Sequence, residues 1–158
     1  LNFSKPKKSK PQSYETKSVL SSILTMYEQE LSNKQIKVDL QIENTRIFAD
    51  LNQLKQIFIN ILSNALEASS YQGKIKIVSY EEGEHTVVEI SDRGIGIDPK
   101  EQDKIFEPFY SNKQNGLGLG LAITYNLVQE NKGDIQIHST KGEGTTVILK
   151  FPKEECNR

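Results

Sequence analysis

Two asparagines lie four residues apart on a segment that is otherwise apolar. Asn60 and Asn64 fall within a predicted helix, where residues four apart share one face. Carboxamide side chains are costly to bury unless they find partners. One interpretation is that the two amides satisfy backbone groups nearby, and the other is that they serve a ligand. The two residues alone leave both interpretations open.

A glycine-containing segment follows the next predicted strand. The strand ends near Ser91 and runs into Asp92, Gly94 and Gly96. Glycines just past a strand allow a ligand to approach the backbone closely, and Asp92 is placed to accept a hydrogen bond. A tight turn explains the same two glycines equally well.

A second run of glycines precedes a predicted helix. Gly116, Gly118 and Gly120 alternate with leucines, and backbone N–H groups at a helix amino terminus form a site for phosphates. The run is not a P-loop, because no Gly-Lys-Ser/Thr closes it, and it lacks the Rossmann spacing. Between the two glycine segments lies IFEPFYSNK, residues 105–113, which also fits a hydrophobic loop anchor.

Hydrophobic periodicity predicts the elements that position these residues. Helical spacing begins near Ser18, a strand spans 36–42 and a short strand lies around Ile47. Asp50 is placed to cap the next helix, and Gln53 three residues later is expected to complete a capping box. The residues that this helix turns inward are Leu54, Ile57, Phe58, Ile61, Leu62 and Ala65.

A β-hairpin is predicted next, with its turn at 81–84. The residues expected to pair across it are Ile75, Ile77, Val87 and Glu89. Asp98 and Pro99 predict the cap and first turn of a short helix. A longer helix is expected over about 118–131, ended by Gly133 in a left-handed conformation. The last two strands carry Ile135, Ile137, Val147, Leu149 and Phe151.

Helices and hairpins are interspersed without regular βαβ alternation. The pattern predicts an α+β fold, a two-layer sandwich with one mixed, mostly antiparallel sheet and helices on a single face. Residues 1–13 are interpreted as a linker, 14–152 as the domain and 153–158 as a tail.

The composition is that of an ordinary soluble globular domain. Of 158 residues, 35% are hydrophobic and 26% are charged. No apolar run approaches the roughly 18 residues of a membrane span. The single cysteine, Cys156, excludes a disulfide framework and fits a reducing environment. The sequence therefore predicts a cytoplasmic domain and leaves open whether the parent protein is membrane-anchored.

The charge is unevenly distributed along the chain. The first twelve residues contain no acid but four lysines: Lys5, Lys7, Lys8 and Lys10. Without these four of the 20 basic residues, 16 remain against 21 acidic ones, a net charge of −5. Nothing outside the amino terminus resembles a stripe that tracks phosphates, which argues against nucleic-acid binding.

In this order and spacing, the motifs resemble the ATPase family shared by histidine kinases, gyrase-type topoisomerases, mismatch-repair ATPases and heat-shock chaperones (the GHKL, or Bergerat, fold). INILSNALEA is similar to the family's N box and DRGIGI to its first glycine box. IFEPF is similar to the F box and GLGLGLAI to the second glycine box. The closing KGDIQIHSTKGEGTTVILKFP resembles the family's last two strands. The resemblance covers roughly residues 14–152.

Within that family, the F box and the short lid are similar to those of histidine kinases. LNFSKP resembles the exit from the dimerisation helices of nitrogen-regulation and sporulation kinases, which carry the phosphoacceptor histidine. His85 and His138 are expected to be surface or sheet residues instead. The resemblance implies transfer of the γ-phosphate of ATP to a histidine on an adjacent domain, with a response regulator as a later partner. It implies a homodimeric parent, whereas this fragment is expected to be monomeric.

The resemblance also assigns the adenine site. Asp92 would accept a hydrogen bond from the adenine amino group, and Thr145 would support the same edge, through a water molecule. Gly94 and Gly96 would let the base lie over the chain, and Ile97 would form part of its apolar wall.

The phosphate side follows from the same resemblance. Asn64 would coordinate Mg²⁺, and Asn60 would lie near the γ-phosphate and orient the incoming imidazole. Residues 98–116 would form a mobile lid, hinged where Phe106 and Phe109 pack against the body of the domain. Backbone amides for the phosphates would come from Gly116, Gly118, Gly120 and Leu121.

One position departs from the pattern. Many histidine kinases place a basic residue three positions after the metal-binding asparagine, and here that residue is Glu67. Lys113 in the lid is then the best candidate for the missing basic contact to phosphate. Two other functions are compatible with the fold, a serine kinase of the anti-sigma type and a nucleotide-sensing module that transfers nothing.

Overall fold

The computed structural model describes residues 10–102, 104–105 and 120–155. The elements in chain order are β1 (Gln12–Glu15), α1 (Thr16–Met26), α2 (Glu28–Lys34), β2 (Lys37–Ile42), β3 (Arg46–Ala49), α3 (Leu51–Ala68), β4 (Lys74–Glu82), β5 (His85–Asp92), α4 (Pro99–Gln102), α5 (Gly120–Glu130), β6 (Asp134–Thr140) and β7 (Gly144–Pro152). Strand β1 begins two residues before the predicted domain start at residue 14. In the described part of the chain, no helix has the length and apolar character needed to cross a membrane.

The main sheet has five strands in the order β2-β4-β5-β7-β6. Strands β2 and β4 run parallel, and every other neighbouring pair is antiparallel. Helices α1, α3 and α5 share one hydrophobic core with the inward residues of this sheet. The predicted two-layer α+β sandwich is confirmed. A separate two-stranded pairing of β1 with β3 was not predicted.

Helix α3 lies at the centre of the core. All six residues predicted to face inward are buried. The ring of Phe58 meets that of Phe151 on β7 edge-on, with centroids 6.5 Å apart. Full burial of such a side chain stabilises the fold by about 1.5–3 kcal/mol, so α3 is fixed firmly on the sheet.

The start of α3 differs from the prediction in one contact. Asp50 caps the helix as expected, because its Oδ1 accepts the Gln53 N–H at 2.9 Å. The reciprocal bond expected from the capping box is wrong, since the Asp50 N–H donates instead to Oδ1 of Asn131 at 2.9 Å. The Nδ2 of Asn131 donates to Oε1 of Gln53 at 2.8 Å. This buried asparagine therefore fixes the start of α3 to the end of α5.

The hairpin of β4 and β5 forms, but its predicted register is wrong. The turn comprises two residues, 83–84, and Gly83 adopts a left-handed φ of 63°, which suits a tight hairpin. Strand β4 consequently extends to Glu82. The predicted partners Val87 and Glu89 lie opposite Tyr80 and Val78, and the residues opposite Ile75 and Ile77 are Asp92 and Ile90.

The end of α5 also corrects a prediction. The left-handed residue is Lys132, with φ of 59°, and not Gly133. A Cβ at Gly133 would lie 2.5 Å from the Lys150 carbonyl oxygen. Glycine is required there by the close approach of β7 rather than by its backbone angles.

Candidate functional site

Asp92 is the last residue of β5 and lines a cavity of about 440 Å³, within the range of small-molecule sites. Its Oδ1 accepts the Gly94 N–H at 2.8 Å. Burial raises the pKa of the Asp92 carboxyl, while hydrogen bonds from the backbone of Gly94 and Thr145 act to lower it. The half-buried carboxylate is thus a hydrogen-bond acceptor at the wall of the cavity.

Two hydroxyls and two backbone groups order the wall beside Asp92. The β5–β7 register places Thr145 opposite Asp92, and Oγ1 of Thr145 lies 2.8 Å from Oγ of Ser139. Ser139 Oγ accepts the Ile97 N–H at 2.8 Å and donates to the Gly144 carbonyl at 3.1 Å. The Ser139 and Thr145 hydroxyls thus share a hydrogen bond in which either one can be the donor. The sequence interpretation missed Ser139, although the alternation of β6 was the available signal.

Gln102 of α4 was also missed. Its Nε2 donates to the carbonyl oxygens of Ile97 at 3.1 Å and Ser139 at 3.0 Å. This side chain joins the loop after β5 to strand β6 at the cavity. The cap of α4 is confirmed, since Oδ1 of Asp98 accepts the Lys100 N–H at 2.9 Å. No sequence pattern would have indicated the contact to β6.

The two glycines after Asp92 are needed by the packing of the protein itself. A Cβ on Gly94 would lie 2.2 Å from the Ala68 carbonyl oxygen, and one on Gly96 would lie 2.2 Å from that of Thr140. Gly96 also has a left-handed φ of 71°. Gly94 is therefore required by the close approach of the end of α3, and Gly96 by its backbone angle and by the approach of β6. That a ligand approaches either glycine stays a prediction. Ile97 is half-buried.

Asn60 and Asn64 are half-buried and lie one turn apart on α3. The Nδ2 of Asn60 donates to Oγ1 of Thr124 on α5 at 3.0 Å, and its Oδ1 accepts from Nε2 of Gln56 at 2.8 Å. Ala68, one turn after Asn64, has its carbonyl oxygen against Gly94. The asparagine-bearing end of α3 therefore meets the loop that follows Asp92.

Some of the remaining predicted site residues lie in the part of the chain that the structure describes, and the others lie outside it. Gly120 is the first residue of α5, Leu121 is half-buried and Glu67 is exposed. Those outside the described residues are Phe106, Phe109, Lys113, Gly116 and Gly118, so the predictions made for them are not tested.

The histidines lie where the sequence predicted. His85 is exposed on β5 and His138 is exposed on β6. Within the described ranges, no group of three or more His, Cys, Asp or Glu side chains is arranged to hold a metal ion.

Comparison with known proteins identifies relatives that match most of this chain. Sporulation kinase E of Bacillus subtilis (strain 168) is 37% identical over 123 residues, which cover 77% of this chain and 17% of the relative. The signal transduction histidine-protein kinase AtoS of Escherichia coli (strain K12) is 36% identical over 157 residues, 96% of this chain and 26% of the relative. The chain thus spans about a quarter or less of these two kinases.

Solved structures show the same fold. The catalytic domain of histidine kinase ThkA is 28% identical with a TM-score of 0.83, covering 91% of this chain and 96% of that one. ThkA in complex with response regulator protein TrrA matches with 26% identity and a TM-score of 0.78, covering 90% and 42%. The family described as histidine kinase-, DNA gyrase B-, and HSP90-like ATPase matches residues 49–155. This chain therefore belongs to that ATPase family.

Proposed function

We propose that this chain is the ATP-binding catalytic domain of a sensor histidine kinase, which donates the γ-phosphate of ATP to a histidine on an adjacent dimerisation domain. The observation that carries the proposal is the half-buried Asp92 carboxylate at the wall of the cavity. The names of the relatives support the kinase activity, since both are histidine or sporulation kinases.

Asp92 would select the base. The exocyclic amine of adenine would donate a hydrogen bond to the Asp92 carboxylate. Guanine has a carbonyl oxygen at the same position, and two acceptors would then face each other without a hydrogen bond. The Gly94 N–H holds one carboxylate oxygen, which fixes the orientation of the group. Thr145, whose hydroxyl is held by that of Ser139, would face the same edge of the base, directly or through a bridging water. Ile97 and the backbone at Gly94 and Gly96 would face the ring.

The phosphates would lie towards the start of α5. Gly120 begins this helix, and the N–H groups at a helix amino terminus carry a partial positive charge. Gly116, Gly118, Gly120 and Leu121 are the proposed backbone donors. Lys113 is the proposed basic contact, because Glu67 on α3 supplies a negative charge instead.

Asn64 fits a magnesium ion that is held mainly by substrate phosphates. Mg²⁺ takes oxygen ligands, keeps several waters and uses few protein side chains. A single half-buried carboxamide near the meeting point of α3 and the Asp92 loop suits that role better than a closed protein cage would. When bound, the ion would neutralise charge on the phosphates.

Asn60 would serve the transfer step. Its amide is held between α3 and α5, so it can present a fixed dipole to the incoming imidazole. Phosphoryl transfer depends mostly on positioning and charge neutralisation, and no nucleophile of this chain is required.

A response regulator is proposed to receive the phosphate next, by analogy with the ThkA complex. The parent kinase is proposed to be a homodimer.

The transfer itself can be tested with radiolabelled ATP, Mg²⁺ and a phosphoacceptor domain supplied as a separate protein. The proposal predicts acid-labile label on a histidine of that domain and none on this chain. Acid-stable label on a serine would indicate the anti-sigma type of kinase. ATP binding without any label would indicate a nucleotide-sensing module.

His85 and His138 provide an internal control. Both are exposed and would be accessible to a phosphoryl donor. Acid-labile label on either one would contradict the assignment of the acceptor to another domain, and His85→Ala and His138→Ala variants would identify the labelled position.

A further inference from the structure

Thr124 is a polar residue in an unusual place. It lies one turn into α5, it is fully buried, and its hydroxyl accepts from Nδ2 of Asn60 at 3.0 Å. Threonine is disfavoured inside helices, and a buried hydroxyl is costly unless it is hydrogen-bonded. A valine would fill the same volume without that cost. The hydroxyl therefore has a specific use at this position.

The bond controls the orientation of the Asn60 carboxamide. The amide group is planar, so holding its nitrogen also fixes the direction of its oxygen. Gln56 contacts that oxygen at 2.8 Å but is exposed and belongs to the same helix as Asn60. Thr124 reaches Asn60 from the other helix and is shielded from water. The contact to Thr124 is the stronger constraint, because its hydroxyl is fully buried and water does not compete for it.

The two helices are fixed to each other at a second point. Asn131, seven residues after Thr124 and about 10 Å further along, binds Asp50 and Gln53 at the start of α3. The two contacts set an antiparallel register for α3 and α5. Thr124 is consequently held one turn from Gly120, the end of α5 next to the predicted phosphate-binding glycines.

We propose that Thr124 is a positioning residue for phosphoryl transfer, which orients the Asn60 amide relative to the nucleotide bound at the start of α5. The inference rests on the role proposed for Asn60. It differs from a purely structural role, in which loss of the hydroxyl would lower stability and leave the folded protein's transfer rate unchanged.

The test compares Thr124→Val with Thr124→Ser. In transfer from ATP to the supplied phosphoacceptor domain, Thr124→Val should lower kcat about five- to tenfold and leave the KM for ATP within about twofold. Thr124→Ser keeps the hydroxyl and should recover most of the rate. Thr86→Val is the matched control. It removes a fully buried hydroxyl that binds the Arg46 carbonyl at 2.6 Å, at the end of β5 far from Asp92, and should leave kcat unchanged.

Nuclear magnetic resonance gives a readout that does not depend on activity. The Asn60 side-chain amide signals should move towards free-asparagine values in Thr124→Val and stay in place in Thr86→Val. In the Asn60→Ala background, Thr124→Val should have no additional effect on kcat, because coupled residues are not additive.

The outcomes separate this inference from the proposed function. Wild-type kcat in Thr124→Val, with Asn60→Ala defective, would overturn the inference alone. Wild-type kcat in Asn60→Ala would show that the role proposed for Asn60 is wrong, and the inference would fall with it. A rate loss that Thr124→Ser does not recover would also contradict it.

Discussion

The two halves of the candidate site are built in different ways. The proposed base pocket, formed by Asp92, Gln102, Ser139 and Thr145, is ordered largely by strand register and by bonds to backbone groups. The helix pair, α3 and α5, is ordered by side chains that contact each other across 64 to 78 residues of sequence. The base pocket should therefore tolerate single substitutions with local effects. Substitutions in the helix pair should change both the free energy of unfolding and the rate of phosphoryl transfer.

The largest effect is expected at the far end of the helix pair. Asn131→Ala removes the oxygen that accepts the hydrogen bond from the Asp50 N–H. Asn131 is only 6% exposed, so water cannot easily replace that acceptor. It should lower the free energy of unfolding by about 2–3 kcal/mol, measured by urea denaturation. Asn33→Ala, which removes an exposed amide on α2, should change it by less than about 0.5 kcal/mol. Equal losses of unfolding free energy in the two variants would contradict the importance given to the contacts of Asn131.

A second prediction separates two asparagines on the same helix. Asn64→Ala should weaken Mg²⁺-dependent ATP binding about tenfold, because the proposed protein ligand of the ion is lost. Asn60→Ala should keep nucleotide binding and slow transfer, which marks an interaction made mainly in the transition state. Calorimetric titration with and without Mg²⁺, beside the transfer assay, measures both. Exchanged phenotypes would show that the two roles are assigned to the wrong turns of α3.

The base pocket should show a smaller and purely local effect. Ser139→Ala removes the group that holds Thr145, Ile97 and Gly144 together, and should weaken ATP about three- to tenfold. Ser91→Ala is a matched control, because Ser91 on β5 pairs through its hydroxyl with Thr146 of β7 at 2.8 Å, one residue along β7 from Thr145. It should leave ATP affinity unchanged in calorimetry. If both substitutions weakened ATP binding equally, the hydroxyl contacts of the sheet would affect binding only through the stability of the fold.

The smallest effect is a dependence on pH. Burial raises the pKa of Asp92, so protonation begins at a higher pH than for an ordinary aspartate with a pKa of about 3.9. In the proposed site the ionised carboxylate would accept a hydrogen bond from the adenine amine, so ATP affinity should be constant above the pKa of Asp92 in the folded protein and fall as the pH drops through it. Asp92→Asn should lack this component of the pH profile. An identical profile in both proteins would contradict the role of the carboxylate.

The sequence predicted what depends on local pattern. The burial of α3 and the Asp50 cap follow from spacing within one segment, as do the last two strands. The contacts that were mistaken depend on the tertiary fold. Gln53 had the spacing of a capping box, but the Asp50 N–H donates to Asn131, which is 81 residues away in sequence, and not to Gln53.

The same reason explains the errors in the glycines and the hairpin. Gly133 was expected to need a positive φ, whereas it is required by the approach of Lys150 from β7. The hairpin register depended on whether the turn had two or four residues, and the surrounding glutamates carried no signal for either. Ser139 and Gln102 become site residues only when β6 and α4 are brought together.

The central claim is that Asp92 reads adenine at the wall of the cavity. Calorimetric titration of ATP and GTP into the wild-type chain and Asp92→Asn tests it most directly. A hydrogen bond to a charged group contributes about 1.5–3 kcal/mol, so the variant should bind ATP about ten- to a hundredfold more weakly, and the preference over GTP should shrink. Circular dichroism should show the fold intact. Unchanged ATP affinity in a folded Asp92→Asn variant would contradict the account.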